Sequence, residues 1–155
     1  MIVTNLQEFY QHLIQNRPII SVDYGSKKMG IALSNPTHTM AMPLKIICKN
    51  NNIEKIQEIL SLIQTHSAIA VVIGLPVNMN GQIEEQAKIV QNFAKALKKK
   101  TSLPIYLQDE RLTSKAADNL LKSLGMRRQS RNDADDKVAA SMILETTLDA
   151  MKRLL

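Results

Sequence analysis

The stretch IISVDYGSKKMGIALS, residues 19–34, contains two apolar runs separated by a short polar turn. Ile19–Val22 and Met29–Leu33 have the composition of buried strands, and the YGSKK segment between them is short enough to form an antiparallel hairpin. Asp23 ends the first run. The carboxyl ends of strands are where open α/β sheets place functional groups, although Asp, Gly and Ser also favour turns for structural reasons alone.

The apolar pattern around this hairpin predicts an α/β fold. Pro43–Cys48 predicts a third antiparallel strand, and the continuous apolar run Ala68–Gly74 predicts a central strand. PIYLQDE, residues 104–110, predicts another crossover strand. We therefore expect a mixed five-stranded sheet, three antiparallel strands plus two parallel ones, flanked by helices. The helices are expected at about 4–16, from Asn51 or Asn52 onward, at 84–100, from Thr113 or Ser114 to Gly125, and at 133–153, with a polar basic loop over 125–132.

The length and composition predict one domain over residues 1–155. The chain is 45% apolar and contains no repeat, low-complexity segment or linker. Residues 1–17 are expected to form an N-terminal helical extension, opened by a capping box of Thr4 and Gln7.

The charge and residue usage exclude several classes of protein. Twenty Lys and Arg against 14 Asp and Glu give a net charge of +6, which favours a polyanionic partner such as nucleic acid. A lone cysteine, Cys48, cannot form an intramolecular disulfide, and three scattered histidines do not suggest a His/Cys metal site. Without a signal-peptide pattern or a run of about 18 apolar residues, the protein is expected to be cytoplasmic and not membrane-bound.

Acids lie where two predicted strands end. Asp23 follows the first strand, and Asp109 and Glu110 end the last one. Because adjacent strand residues point to opposite faces, only one of Asp109 and Glu110 can face the same side as Asp23.

A third acidic group lies at the start of the last predicted helix. If Asn132 caps that helix, Asp133 and Asp135 occupy the first turn, where the helix dipole favours acids for structural reasons. Asp136 differs, because a carboxylate on a core-facing stripe needs a partner, and a hard cation would supply one. Asp136 shares its helical stripe with Ala139, Ala140, Ile143, Thr147 and Ala150.

Four motifs in this order resemble the YqgF, or RuvX, family of RNase H-like nucleases. They are DYGSKKMGIALS (23–34), GLPVNMNG (74–81) followed by EEQAKIVQNFA (84–94), DERLTS (109–114) and DDKVAA (135–140). The resemblance runs from about Ile19 to Leu144. It implies an RNase H-like fold, a cytoplasmic protein, and a nuclease linked to 5′-end processing of pre-16S rRNA, with a relationship to Holliday junction resolvases.

The resemblance also assigns the acids. The family's acidic positions correspond to Asp23, Glu110 and Asp136, which would be catalytic residues and metal ligands, while Asp109, Asp133 and Asp135 remain second choices. Two divalent ions, Mg²⁺ or Mn²⁺, would be bridged by Asp23, with Glu110 and Asp136 holding one ion each.

Basic side chains near these motifs are candidates for contacts to substrate phosphates. An ordinary solvated charge is the competing interpretation for each of them, and Arg111 is the strongest candidate because it adjoins Glu110. The candidates are Lys27, Lys28, Arg111, Arg127, Arg128 and Arg131.

Two other functions stay open. The chain could cleave branched DNA as a Holliday junction resolvase-like nuclease, or bind RNA without cleaving it as a ribosome-assembly module. The sequence leaves the oligomeric state open as well, including a homodimer.

Overall fold

The computed structural model describes residues 1–13, 16–76, 85–109 and 128–154, and no side chain within 128–137 belongs to that description. The strands are β1 (Ile2–Val3), β2 (Ile19–Asp23), β3 (Met29–Ser34), β4 (Ala41–Ile47), β5 (Ala70–Leu75) and β6 (Ile105–Asp109). The helices are α1 (Leu6–Gln11), α2 (Asn52–His66), α3 (Glu85–Lys98) and α4 (Arg128–Lys152).

The strands form one mixed sheet in the order β1-β6-β5-β2-β3-β4. β3 pairs antiparallel with both β2 and β4, whereas the β1–β6, β6–β5 and β5–β2 pairs are parallel. The prediction of three antiparallel strands and two parallel crossover strands is confirmed.

The sequence-based expectation of five strands was one strand short. β1 consists of two residues, Ile2 and Val3, which pair with Ile105 and Tyr106 of β6. Two residues are too few to show a strand's alternation, and the pairing is between distant parts of the chain. The segment expected to be a purely helical extension therefore also adds an edge strand to the sheet.

Asparagine side chains cap the amino-terminal ends of the first two helices. The Asn5 side chain caps α1 by accepting hydrogen bonds from the backbone N–H groups of Gln7 and Glu8, at 2.8 and 3.2 Å. The predicted cap at Thr4 was wrong by one residue, because Asn5 supplies an acceptor that serves two amides. Asn51 caps α2 by accepting a hydrogen bond from the backbone N–H of Glu54 at 2.9 Å. Of the two predicted caps, Asn51 and Asn52, the first is therefore confirmed.

The sheet separates two apolar cores. Ile20, Val22, Val71 and Ile73 pack against α2 and α3, through residues such as Phe93. We call this side the α2/α3 face. The intervening residues of the same strands pack against α4 and α1, and we call their side the α4 face. Its apolar cluster contains Val3, Phe9, Ile19, Ala41, Ala70, Val72, Ile143, Leu144, Leu148 and Met151.

The last helix begins earlier than predicted. α4 starts at Arg128, so residues 128–132 are helical rather than part of a loop, and Asn132 is not its cap. No acid lies in the first turn, which removes the helix-dipole explanation for Asp133 and Asp135. The polar sequence RQSRN suggested a loop, yet Arg and Gln are good helix formers.

The buried face of α4 differs from the predicted stripe at its margins. Ala140, Ile143 and Thr147 are fully buried, as expected, whereas Ala139 and Ala150 are only partly buried. Leu144, Leu148 and Met151 complete the buried surface. Among the described helices, none is both long enough and apolar enough to cross a membrane.

Candidate functional site

Asp23 lies at the carboxyl end of β2, near the centre of the sheet, where it is partly buried. Its partner in β3 is Gly30. On the other side, Val22 pairs with Ile73, so the following residue of β5, Gly74, comes beside Asp23. Both neighbours are glycines. The carboxylate is therefore not crowded by a side chain from either adjacent strand.

Strand alternation assigns Asp23 to the α4 face. Ile19 belongs to the α4-face cluster, and the Ser21 hydroxyl donates a buried hydrogen bond of 2.7 Å to the backbone carbonyl of Ala140 in α4. Asp23 follows Ser21 by two residues and so points to the same side.

Asp109 belongs to the opposite face. In β6, Tyr106 packs with the α4-face cluster, and Gln108 accepts a hydrogen bond of 3.0 Å from the hydroxyl of Thr147 in α4. Leu107 packs with the α2/α3-face core, and Asp109 shares its alternation. Asp109 is thus the member of the Asp109–Glu110 pair that does not face the side of Asp23. Glu110 lies outside the described residues.

The Ser21–Ala140 hydrogen bond relates α4 to the strand end. Residue 136 precedes Ala140 by one turn, which is about 6 Å along the helix axis. Asp23 follows Ser21 by about 7 Å along the strand. The backbone at residue 136 is therefore one helical turn, and Asp23 two strand residues, from the same hydrogen bond.

The turn after Asp23 is tight. A Cβ atom at Gly25 would come within 2.0 Å of the backbone oxygen of Lys28, so only glycine fits there without a shift of the backbone. Lys27 and Lys28, two of the predicted phosphate contacts, are exposed on this turn. The turn thus places two cations immediately after the acid.

A buried lysine of α2 forms hydrogen bonds with the backbone of the same turn. Lys55 is 1% exposed, and its ammonium group donates to the backbone oxygens of Gly25 and Ser26 at 3.1 and 2.8 Å. It also lies 4.7 Å from the centre of the Tyr24 ring, in a cation–π contact. The charge is therefore satisfied by carbonyls and an aromatic ring rather than by an acid.

Tyr24 connects the turn to both helices of the α2/α3 face. Its hydroxyl donates to the Asn52 side chain at 3.0 Å, and its ring lies 4.7 Å from the ring of Phe93 in α3. The residue next to Asp23 is consequently fixed by contacts with α2 and α3. This arrangement restricts the backbone on which the Asp23 carboxylate is carried.

Sequence reasoning missed the role of Lys55. The signal was present, because Lys55 adjoins Ile56 and precedes Ile59 by one turn, and both isoleucines are buried. A lysine at the edge of an apolar stripe usually extends its charge into water. Here the carbonyls of a turn distant in sequence accept it.

The other predicted site residues lie beyond the described side chains. Glu110, Arg111 and Arg127 are outside the described residues altogether. Five more lie in α4, where the backbone alone is described; they are Arg128, Arg131, Asp133, Asp135 and Asp136. Among the side chains that are described, no group of three or more His, Cys, Asp or Glu forms a metal-binding cluster.

Tyr106 has the clearest electrostatic perturbation near the strand ends. Burial raises the pKa of its hydroxyl, and the negative charge of Asp109 raises that pKa further. Its ring stacks on Phe9, with ring centres 5.3 Å apart. Both effects favour the protonated hydroxyl of Tyr106.

Comparison with known sequences gives two concordant results. The model of the family described as "RuvX: Holliday junction resolvase" matches residues 17–150. A Rickettsia felis protein is 58% identical over 154 residues, covering 99% of this chain and all of that protein. A Rickettsia peacockii protein is 56% identical with the same coverage. Both relatives bear the name "Putative pre-16S rRNA nuclease".

Comparison with solved structures confirms the RNase H-like α/β fold. T. thermophilus RuvC in complex with Holliday junction substrate superposes with a TM-score of 0.57 at 11% identity, covering 88% of this chain and 96% of RuvC. The fowlpox virus Holliday junction resolvase superposes with a TM-score of 0.50 at 19% identity, covering 89% of this chain and 99% of the viral protein. At these identities the likeness concerns the fold alone.

Proposed function

Because the chain belongs to the RuvX Holliday junction resolvase family, we propose that it is a divalent-metal-dependent nuclease that hydrolyses phosphodiester bonds at the 5′ end of pre-16S rRNA. The names of the full-length relatives favour this RNA substrate. The basic composition is compatible with a nucleic-acid partner.

The placement of Asp23 is the observation that carries the proposal. A partly buried carboxylate ends the central strand between two glycines, on the face that α4 covers. An acid contributes nothing to the apolar packing of β2, whereas carboxylate oxygens are the ligands that Mg²⁺ and Mn²⁺ prefer. The chemistry of this donor therefore fits a divalent ion.

Glu110 and Asp136 are proposed as the further ligands. Asp109 is a weaker candidate for the same site, because it belongs to the other face of the sheet. The Ser21–Ala140 contact supports Asp136, since it holds α4 close to the strand that ends in Asp23. Asp133 and Asp135 remain the alternatives on the same helix.

The chain's own groups would position the reactants. A bound divalent ion would lower the pKa of a water molecule and stabilise charge on the leaving oxygen. Lys27 and Lys28 are proposed to contact substrate phosphates beside Asp23, together with Arg111, Arg127, Arg128 and Arg131. Lys55, by holding the carbonyls of Gly25 and Ser26, would keep the Asp23–Lys28 turn in one conformation.

A four-way DNA junction is the second candidate substrate, because the matching family model is described by that activity. One cleavage experiment compares the two. Labelled RNA spanning the 5′ end of pre-16S rRNA, a linear DNA duplex and a four-way DNA junction are each incubated with Mg²⁺, Mn²⁺ or EDTA. We expect metal-dependent cleavage of the RNA, which EDTA and Asp23→Asn both abolish.

Two results would contradict this assignment. Cleavage of the junction but not of the RNA would identify a DNA resolvase. Tight RNA binding without turnover in either metal would favour a non-catalytic ribosome-assembly module.

A further inference from the structure

One helix and the segment after it carry lysines that no acid within the same stretch balances. Residues 86–108 contain five lysines and no Arg, Asp or Glu, so they carry five of the six net positive charges of the chain. The remaining 132 residues are therefore almost electrically balanced. This asymmetry marks α3 and its carboxyl-terminal extension as one strongly basic region of the sequence, beside the basic stretch 119–132.

The lysines of this region all face solvent. Lys88, Lys95 and Lys98–Lys100 are exposed, whereas the opposite side of α3 is buried in the α2/α3-face core. Lys88 and Lys95 are two turns apart on the same side, a separation of about 10 Å along the axis. Lys99 follows directly after Lys98, the last residue of the helix. We call Lys88, Lys95 and Lys99 the α3 lysine row.

Stabilisation of the helix accounts for only part of the row. Cations near the carboxyl end of a helix complement its dipole, which explains Lys95 and Lys98. Lys88, however, lies in the first turn, where the dipole disfavours a cation. Among the described residues, no carboxylate forms an ion pair with any lysine of the row. Within the part of the chain that the structure describes, local pairing therefore does not explain these charges.

The helix that carries the row passes beside the candidate site. Phe93 lies between Lys88 and Lys95 in sequence, and its ring contacts the ring of Tyr24, the residue after Asp23. The row lies on the solvent-exposed side of α3, opposite Phe93. A nucleic acid bound at Asp23 would reach these cations by extending past the turn and along the outer side of α3.

We propose that the α3 lysine row binds the phosphate backbone of the nucleic-acid substrate outside the cleavage site. This inference rests on the proposed function and adds a docking surface distinct from Lys27, Lys28 and the arginines proposed above. Its occupant is the sugar–phosphate backbone of RNA, because a row of exposed ammonium groups suits a chain of phosphates, and the low aromatic content offers little stacking of bases.

The salt dependence of binding tests the row without requiring cleavage. Each phosphate contact that is lost lowers the slope of log K against log salt by about 0.7 to 0.9. The Lys88→Gln, Lys95→Gln, Lys99→Gln triple variant should therefore lower that slope by roughly two units. Binding of a labelled RNA duplex is measured at several salt concentrations in EDTA, so that no turnover interferes.

A matched control separates local contacts from net charge. Arg17→Gln, Lys152→Gln and Arg153→Gln together remove the same charge from exposed positions that belong neither to α3 nor to the Asp23 turn. This control should keep the slope of the wild type. Equal slopes for the two triple variants would overturn the proposal, as would a slope for the row variant equal to that of the wild type.

Cleavage measured on the same proteins distinguishes the two proposals. A row variant with weaker RNA binding but an unchanged rate at saturating RNA supports the docking surface. A wild type that binds RNA through the row but never cleaves would refute the proposed nuclease while leaving the surface intact. If the row variant instead loses binding to phosphatidylserine vesicles and keeps the RNA slope, the face serves a membrane surface and the RNA assignment is wrong.

Discussion

The two faces of the sheet use alternate residues of the same strands for different purposes. On the α2/α3 face, β2 and β5 present Ile20, Val22, Val71 and Ile73, all fully buried and apolar. On the α4 face, β2 presents Ser21 and Asp23 after a single apolar residue. The period of two in a strand thus lets one segment build a core on one side and carry polar chemistry on the other.

The difference extends to the helices. Described side chains tie α4 to the sheet through polar contacts, Ser21 with Ala140 and Thr147 with Gln108, as well as through its apolar residues. α3 packs on its face through Ala87, Val90, Phe93, Ala94 and Leu97. The α2/α3 face reaches the candidate site only beyond the strand end, where Lys55 and Phe93 meet the turn. Its contribution there is to hold a loop in place.

Replacing Lys55, which connects α2 to the turn after Asp23, should have the largest effect on stability among these substitutions. Lys55→Met keeps much of the side-chain volume but leaves the carbonyls of Gly25 and Ser26 without their donor, which should reduce the free energy of unfolding by about 1–3 kcal/mol. Urea unfolding measures the loss. Hydrogen exchange should accelerate in the amides of the turn more than in the strands.

Lys45→Met is the matched control for this prediction. Lys45 pairs with Glu58 of the same helix α2, but both side chains are partly exposed, so the loss should be at most about 1 kcal/mol. Equal losses for the two variants, with no local change in hydrogen exchange at the turn, would show that Lys55 does not hold it.

Ser21→Ala tests the polar attachment of α4 with a smaller effect. The substitution removes the buried hydroxyl that donates to the Ala140 carbonyl, at an expected cost of about 1 kcal/mol. The measurement is again urea unfolding, and Ser141→Ala serves as a comparison because that hydroxyl bonds within its own helix, to Val138. If Ser21→Ala is no less stable than Ser141→Ala, the strand-to-helix hydrogen bond contributes little.

The pH dependence of stability gives a further test of the α4 face, through Tyr106. Its folded pKa is raised above the ordinary value of 10.0, so the stability that its neutral hydroxyl contributes is fully present below pH 10 and is lost as the pH rises through the folded pKa. The wild type should therefore lose stability above pH 10 relative to Tyr106→Phe, which has no hydroxyl to ionise. Chemical unfolding at pH 8 and above pH 10 measures this difference, and parallel curves would contradict it.

Much of this arrangement could be predicted from short-range pattern. Two apolar runs separated by a short polar turn indicate the hairpin, longer continuous runs indicate the crossover strands, and Asp23 is visible because it ends such a run. β1 could not be predicted, since two residues gain their structure only by pairing with β6. The same holds for Lys55, whose partners lie about 30 residues away.

Helix boundaries were the weakest part of the prediction. Thr4 and Asn5 are both acceptable caps, and only the geometry of the Asn5 amide decides between them. The start of α4 at Arg128 lies four residues before the predicted cap at Asn132, because side chains that suit a solvated loop also suit an exposed helix.

The central claim is that the acid of the α4 face, and not its counterpart on the other face, binds the divalent ion. Thermal unfolding in EDTA and in saturating Mn²⁺ tests it with Asp23→Asn and Asp109→Asn, two identical changes at neighbouring strand ends on opposite faces. A metal at about 100 times its Kd stabilises the folded state by about 2.7 kcal/mol, which is a shift of several degrees for a chain of this size. We predict this shift in the wild type and in Asp109→Asn, and its loss in Asp23→Asn. A full shift in Asp23→Asn, or its loss in Asp109→Asn alone, would contradict the assignment.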